Sequence, residues 1–264
     1  MKDLDLPEMT PRLVILDVLS AAGGIALSAP QLARSGEIMG FTPGSMRVAT
    51  SRLASEALIE SPRRGEWKLA KTGTWIDEQT RWTRLHDLVQ PWQADWWVVV
   101  TQLVPRSSRS NWRKHENALW HRGFVEAERD YFIRPANLNL NFEKLAGELS
   151  ALGMAEESLV FRATEVSQLP DLALWNIAGR KSLYQALCEE VESLISPGFD
   201  EHIGAYGLCR HFLRVGRKAI WALNTDPLLP EDWGANAARD HLVSLMPRFI
   251  AQGRKLWLDQ LDLG

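Results

Sequence analysis

Cysteine is nearly absent from this chain, which has only Cys188 and Cys209. Two thiols cannot build a disulfide framework, and the start of the chain carries no signal-peptide pattern, so the expectation is a pair of reduced, buried side chains in a cytoplasmic protein. Long apolar runs are missing too. Runs such as Trp96-Trp97-Val98-Val99-Val100 fall far short of the roughly 20 residues that a membrane helix requires, so no bilayer-spanning helix and no membrane partner is expected. Nor does one charge dominate. The chain sets 30 Lys and Arg against 33 Asp and Glu, a net of −3, which excludes a polycation but not a local basic patch.

Catalytic signatures are equally scarce. There is no Gly-x-Ser-x-Gly elbow, no phosphate loop with Gly-Lys-Ser or Gly-Lys-Thr, and no dinucleotide fingerprint after a strand. The histidines form no recognisable ligand set: His115 and His121 are six residues apart, and Cys209-Arg210-His211 puts Cys and His on different sides of a helix. No metal, no cofactor and no enzymatic activity is expected, and no fixed-period repeat or low-complexity tract appears.

What remains is informative. A chain of 264 residues with 45% apolar content has the size for two or three domains. Its twelve tryptophans are expected mostly as core or interface anchors, since each buries a large surface and needs a partner for one N–H. Charge is segregated along the chain: residues 41–114 hold 12 Lys and Arg against 7 Asp and Glu, whereas 143–201 hold 4 against 11.

Three helices are predicted at the N-terminal end. Apolar spacing from Pro11 to Ala22 stops at Gly23-Gly24; Ser28-Ala29-Pro30 starts a second helix that ends at Gly40; Thr42-Pro43 starts a third almost at once. This is helix-turn-helix spacing. On the third helix, Met46, Ala49, Thr50, Leu53 and Ala57 share a packing side, leaving Gly44, Ser45, Arg47, Val48, Ser51, Arg52 and Ser55 outward. Short side chains with two arginines among them suit a DNA major groove, where Arg reads guanine edges and Ser takes phosphate or base contacts. Leu58-Ile59-Glu60, Arg63-Arg64-Gly65 and Trp67-Lys68-Leu69 then read as strand, turn and strand, a wing with basic residues at its tip for phosphate or minor-groove contact. The candidate DNA-binding residues are Thr42, Ser45, Arg47, Ser51, Arg52, Arg63 and Arg64. The competing explanation is ordinary: Ser and Arg are common on solvated helix faces, and exposed turns are polar.

Beyond a helical link over 71–90, a second unit reads as strand (Asp95 to Val104), helix (Arg106 to Trp120), extended segment or hairpin (Gly123 to Arg134), helix (Phe142 to Leu152) and strand (Ser158 to Val166), an order that suits a ferredoxin-like α+β sandwich. After Pro170 the pattern is helical: Trp175 to Ile195, His202 to Leu213, Arg217 to Ala222 and Ala235 to Leu261. The expected class is therefore a multidomain α+β protein: a winged helix-turn-helix domain at 1–73, a helical linker at 74–91, a ferredoxin-like domain at 92–168 and an α-helical domain at 169–264.

Certain of these segments carry a resemblance. Met46-Arg47-Val48-Ala49-Thr50-Ser51-Arg52-Leu53, Trp97-Val98-Val99-Val100, Trp120-His121-Arg122-Gly123-Phe124 and above all Asp226-Pro227-Leu228-Leu229-Pro230-Glu231-Asp232-Trp233 resemble the PaaX family of bacterial transcriptional regulators, over nearly the whole chain. The resemblance implies a homodimeric repressor of a catabolic operon. It implies double-stranded operator DNA as partner, a central domain similar to the CRISPR-associated nuclease of that fold, and release by an effector such as an aryl- or acyl-coenzyme A thioester. Candidate effector residues are Arg106, Arg109 and Arg113, which with Lys114 form a set whose three- and four-residue spacing clusters three of the four near one side of a helix, and Trp175, which with Trp221 and Trp233 offers aromatic surface. A solvated helix face and a packed core are the plainer readings of these two groups. Two other functions stay open. A metal-dependent nuclease of the central fold would need a carboxylate at the end of its first strand, where the sequence has Val100-Thr101-Gln102 and places Asp95 at the beginning instead. A winged-helix protein-interaction adaptor would have no affinity for duplex DNA.

Overall fold

The computed structural model describes residues 8–70, 79–198, 203–234 and 236–263. The chain is mixed α+β, its strands forming two antiparallel sheets, and it divides into two compact units. One takes the described residues within 4–76, 186–219 and 241–264, the other those within 77–185 and 220–240.

In the first of these units, each early helix begins on its own cap. The Thr10 hydroxyl accepts from the Leu13 N–H at 3.4 Å to start α1 (Pro11–Ala21), with Pro11 in the first turn where a missing N–H costs nothing. Ser28 and Gln31 form a reciprocal capping box at the start of α2 (Ala29–Met39), and Gly40 ends it in the left-handed conformation. Thr42 caps α3 (Pro43–Ser55) two residues later. Helices α2 and α3 approach closely at Gly36, where a Cβ would lie 2.3 Å from Met46 Cγ. Strands β1 (Leu27–Ser28), β2 (Ile59–Glu60) and β3 (Glu66–Leu69) pair in the order β1-β3-β2, with Leu27 opposite Trp67 and Ile59 opposite Leu69. The core joins Ile15, Leu19, Leu32, Met46, Leu53 and Ile59 to Cys209, Trp257 and Leu261 from far along the chain.

The second unit runs β4 (Trp96–Val100), α4 (Arg109–His121), β5 (Val125–Glu128), β6 (Tyr131–Pro135), α5 (Phe142–Leu152) and β7 (Leu159–Ala163). Its sheet order is β5-β6-β4-β7, and central Val98 lies opposite both Ile133 and Phe161. Against one face, Trp96, Val98 and Ile133 pack with Trp175, flanked by Trp92, Leu229 and Trp233. Trp92 meets Trp96 and Trp233 edge-on, each at 5.2 Å between ring centroids.

Three later α-helices follow, α6 (Ile177–Ile195), α7 (Gly204–Asn224) and α8 (Asn236–Gln260), with short 3-10 turns at Leu172–Trp175 and Glu231–Trp233. The stretch 169–264, expected as a helical domain of its own, is instead shared between the units. The reason is packing: Cys209, Trp257 and Leu261 complete one core, while Trp175, Leu229 and Trp233 cover the face of the other unit's sheet. The two helices expected at 202–213 and 217–222 are one. Gly216 lies between them, and its missing side chain admits the Phe249 ring, 3.0 Å from where a Cβ would stand, so the glycine serves a close crossing and not a stop. Of the link expected at 71–90, residues 71–78 lie outside the described residues; Arg81–Leu88 is 3-10 helix interrupted at Arg84. The first strand of the central sheet ends at Val100, short of the expected Val104, because Thr101 turns the chain by accepting from the Val104 N–H at 2.9 Å. No helix among the described residues is long and apolar enough to cross a membrane.

Candidate functional site

Helix α3 carries two faces of opposite character. Met46, Thr50 and Leu53 are buried, whereas Arg47, Val48, Ser51, Arg52 and Ser55 are exposed. Thr50 fits the buried side because its hydroxyl donates to the Met46 carbonyl at 2.9 Å. Ala57, expected on that side, is exposed at φ 55°, since the helix has ended at Ser55 and the chain reverses there. At the other end, the Thr42 hydroxyl accepts from the Ser45 N–H at 3.2 Å and the Ser45 hydroxyl donates to the Thr42 carbonyl at 2.8 Å. Both candidate hydroxyls therefore hold the helix start as well as facing its surroundings.

The hairpin between β2 and β3 turns through Ser61 to Gly65. The Ser61 hydroxyl donates to the Arg63 carbonyl at 2.6 Å, the Glu66 N–H donates to the same carbonyl at 3.0 Å, and Gly65 takes φ 83°. The backbone is thus closed on itself, and the Arg63 and Arg64 side chains are left exposed at the tip.

Charge pairing separates these arginines from their neighbours. Glu56, one turn beyond Arg52, is taken by Arg12, and Glu60 is paired with Lys68 at 3.0 Å. Among the described residues, the side chains of Arg47, Arg52, Arg63 and Arg64 have no hydrogen-bond or ion-pair partner. Four guanidiniums with their full donor sets facing outward form a surface suited to a polyanion. A shallow groove beside them, lined by Thr10, Pro11, Arg12, Gly44, Val48 and Arg52, separates the start of α1 from α3. The outward face was legible from helical spacing; the lack of partners was not, because it depends on Arg12 reaching Glu56 across 44 residues of sequence.

The effector candidates divide. Arg106 is committed to Asp130 and lies 4.0 Å over the Trp112 ring, whereas Arg109 and Arg113 are exposed and unpartnered among the described residues. Trp175 is buried and its indole donates to the Gly123 carbonyl at 2.8 Å, so it packs as a core residue. Trp233 packs on it at 5.6 Å, and Trp221 lies 5.9 Å from Trp120.

A buried polar network, which sequence patterning did not show, surrounds Asp226. Asp226 accepts from the Tyr184 hydroxyl, from the Leu228 N–H at 2.7 Å and from Arg239 at 3.4 Å. Asn137 donates to the Leu228 carbonyl at 2.7 Å and accepts from Arg134 at 2.9 Å. Arg134 is fully enclosed, and burial, reinforced by nearby Arg81 and Arg122, pushes its pKa down to about 9. Gly123 adopts φ 76° against Pro227, whose Cα would lie 2.8 Å from an added Cβ. The segments around Gly123 and Asp226 are therefore fitted closely to their surroundings, Gly123 against Pro227 and Asp226 against the Leu228 N–H.

Asp95, the carboxylate weighed for a metal-dependent reaction, is buried and paired with Arg162. Among the described residues no three His, Cys, Asp or Glu side chains gather as a metal site. Cys188 and Cys209 are both buried and form no disulfide among the described residues, and burial pushes the Cys209 thiol up to about 12.

No protein-family model matches the chain, and no curated protein sequence does. Among solved structures, the chain is similar to the "Uncharacterized protein Rv0674 from Mycobacterium tuberculosis", at 19% identity and a TM-score of 0.62 over 96% of this chain and 99% of that one. That likeness is one of fold: the α+β architecture described above recurs over essentially the full length of both chains.

Proposed function

We propose that the chain is a DNA-binding transcriptional regulator of PaaX type. On this reading the unit of α1 to α3 with the β1-β3-β2 sheet is a winged helix-turn-helix, and the β-α-β-β-α-β unit is a ferredoxin-like domain. Helix α3 enters the major groove, Arg47 and Arg52 read base edges, and the hairpin places Arg63 and Arg64 on phosphates. The single observation that carries the reading is the set of four exposed arginines, without partners among the described residues, on one helix face and one adjoining hairpin tip. Thr42 and the start of α3 add backbone N–H groups suited to a phosphate.

Homodimerisation, repression of a catabolic operon and release by an aryl- or acyl-coenzyme A thioester follow from the sequence resemblance. An effector that binds better to a state with displaced recognition helices weakens DNA binding by the same factor that DNA weakens effector binding. Arg109 and Arg113, exposed and without partners among the described residues, are cations available for its phosphates. Neither the nuclease nor the adaptor reading has an observation in its favour, and the paired Asp95 gives the former no strand-end carboxylate.

The test is capture of genomic duplex fragments by the purified chain, followed by footprinting. Arg47→Ala and Arg52→Ala are expected to abolish the footprint while leaving thermal unfolding unchanged, since exposed side chains carry little packing. Footprints unchanged in both variants remove α3 as the reading helix.

A further inference from the structure

One residue of the outward α3 face is of the wrong kind for solvent. Val48 is 53% exposed, lies between Arg47 and Ser51, and is followed one turn later by Arg52. A β-branched residue loses rotamer freedom in a helix, and although Val48 borders the groove lined by Thr10 and Pro11, about half of its surface faces water, where a branched apolar side chain gains nothing. Gly44, one turn earlier on the same line, is equally unexplained by the chain: its backbone is ordinary helix, and a Cβ there would meet only the Thr42 hydroxyl oxygen, at 3.9 Å. Gly44, Val48 and Arg52 recur at four-residue intervals and so lie one above another. The line offers close approach, then an apolar branch, then a guanidinium with no partner among the described residues.

In the major groove of unmodified DNA, the apolar group a base presents is the 5-methyl of thymine. We propose that Val48 is a specificity-determining residue that packs on a thymine methyl, next to the base pair that Arg47 or Arg52 reads. Gly44 leaves room for the duplex to come down onto it. The inference rests on the regulator reading above and adds to it one readable position in each half-site.

The probe is a duplex enriched from random sequence by repeated capture on the full chain, then resynthesised with each thymine replaced singly by deoxyuridine, which removes the methyl and keeps every hydrogen-bonding group. Burying one methyl predicts about fourfold weaker binding at one thymine per half-site for the unaltered chain. Val48→Ala is expected to bring that ratio close to one, and Val48→Ile to retain it, with unfolding temperatures showing all three folded. An enriched site without thymine, neutral deoxyuridine at every position, or a ratio unchanged in Val48→Ala overturns the inference while leaving DNA binding in place. Failure to enrich any duplex in a salt-sensitive manner overturns both readings together.

Discussion

At the scale of single residues, the chemistry that identifies an outward surface differs from the chemistry that fixes the fold, and the two were not equally visible in sequence. Arg47 and Arg52 follow from a 100° rotation per residue, so their exposure was readable before any coordinates. Arg134, Asn137, Tyr184, Asp226 and Arg239 form a network spanning a hundred residues, and no local period marks them. Removing one charge there leaves others without compensation in a medium that solvates them poorly. Asp226→Asn keeps an acceptor for the Leu228 N–H but strips the carboxylate from Arg239, whose guanidinium is 9% exposed. Breaking such a buried pair costs about 3 to 5 kcal/mol. The expected outcome is a large fall in the urea midpoint, at unchanged slope; an unaltered midpoint shows that Arg239 is satisfied by Asp240 alone.

At the scale of elements, helix caps and the glycine stops were legible in sequence, whereas glycines that serve close packing were not. Thr10, Ser28 and Thr42 each begin a helix where a hydroxyl stands before proline or alanine, and the helix expected over Phe142 to Leu152 has those bounds, with Asn141 capping its start and Gly153 its end. The break expected between Leu213 and Arg217 does not occur, and Gly216, which lies there, admits the Phe249 ring instead of ending the helix; a glycine that ends a helix and one that lets an aromatic ring approach look alike in one dimension. Gly36 is of the second kind. An added Cβ would stand 2.3 Å from Met46 Cγ, inside the crossing of α2 and α3, and Met46 is itself buried in the core. Gly36→Ala is therefore expected to destabilise by about 1 to 3 kcal/mol, the usual cost of overpacking, despite the better helix propensity of alanine. Calorimetry checks the sign directly: a higher melting temperature means that Met46 relocates at no cost and that the crossing is loose.

At the scale of the whole molecule, a net charge of −3 makes affinity for a polyanion a matter of local field. At about 0.1 M salt the screening length is about 10 Å, so exposed cations act on the phosphates they touch and the acidic total acts weakly at range. Each phosphate contact releases counterions and adds about 0.9 to the slope of log affinity against log salt. Arg63 and Arg64 are exposed and free of partners among the described residues, so their double replacement by alanine is expected to lower that slope by about 2 while weakening specific and non-specific duplexes to the same degree. On the proposed reading Arg47→Ala is expected to differ in kind, compressing the ratio between specific and non-specific duplexes, because loss of a base contact removes discrimination as well as charge. Titrations at several salt concentrations between 50 and 200 mM, on the enriched site and on a scrambled duplex, separate the two behaviours. Equal slopes for the unaltered chain and the Arg63/Arg64 variant would place the hairpin tip off the duplex, leaving α3 as the sole contact and ruling out the wing as a phosphate clamp.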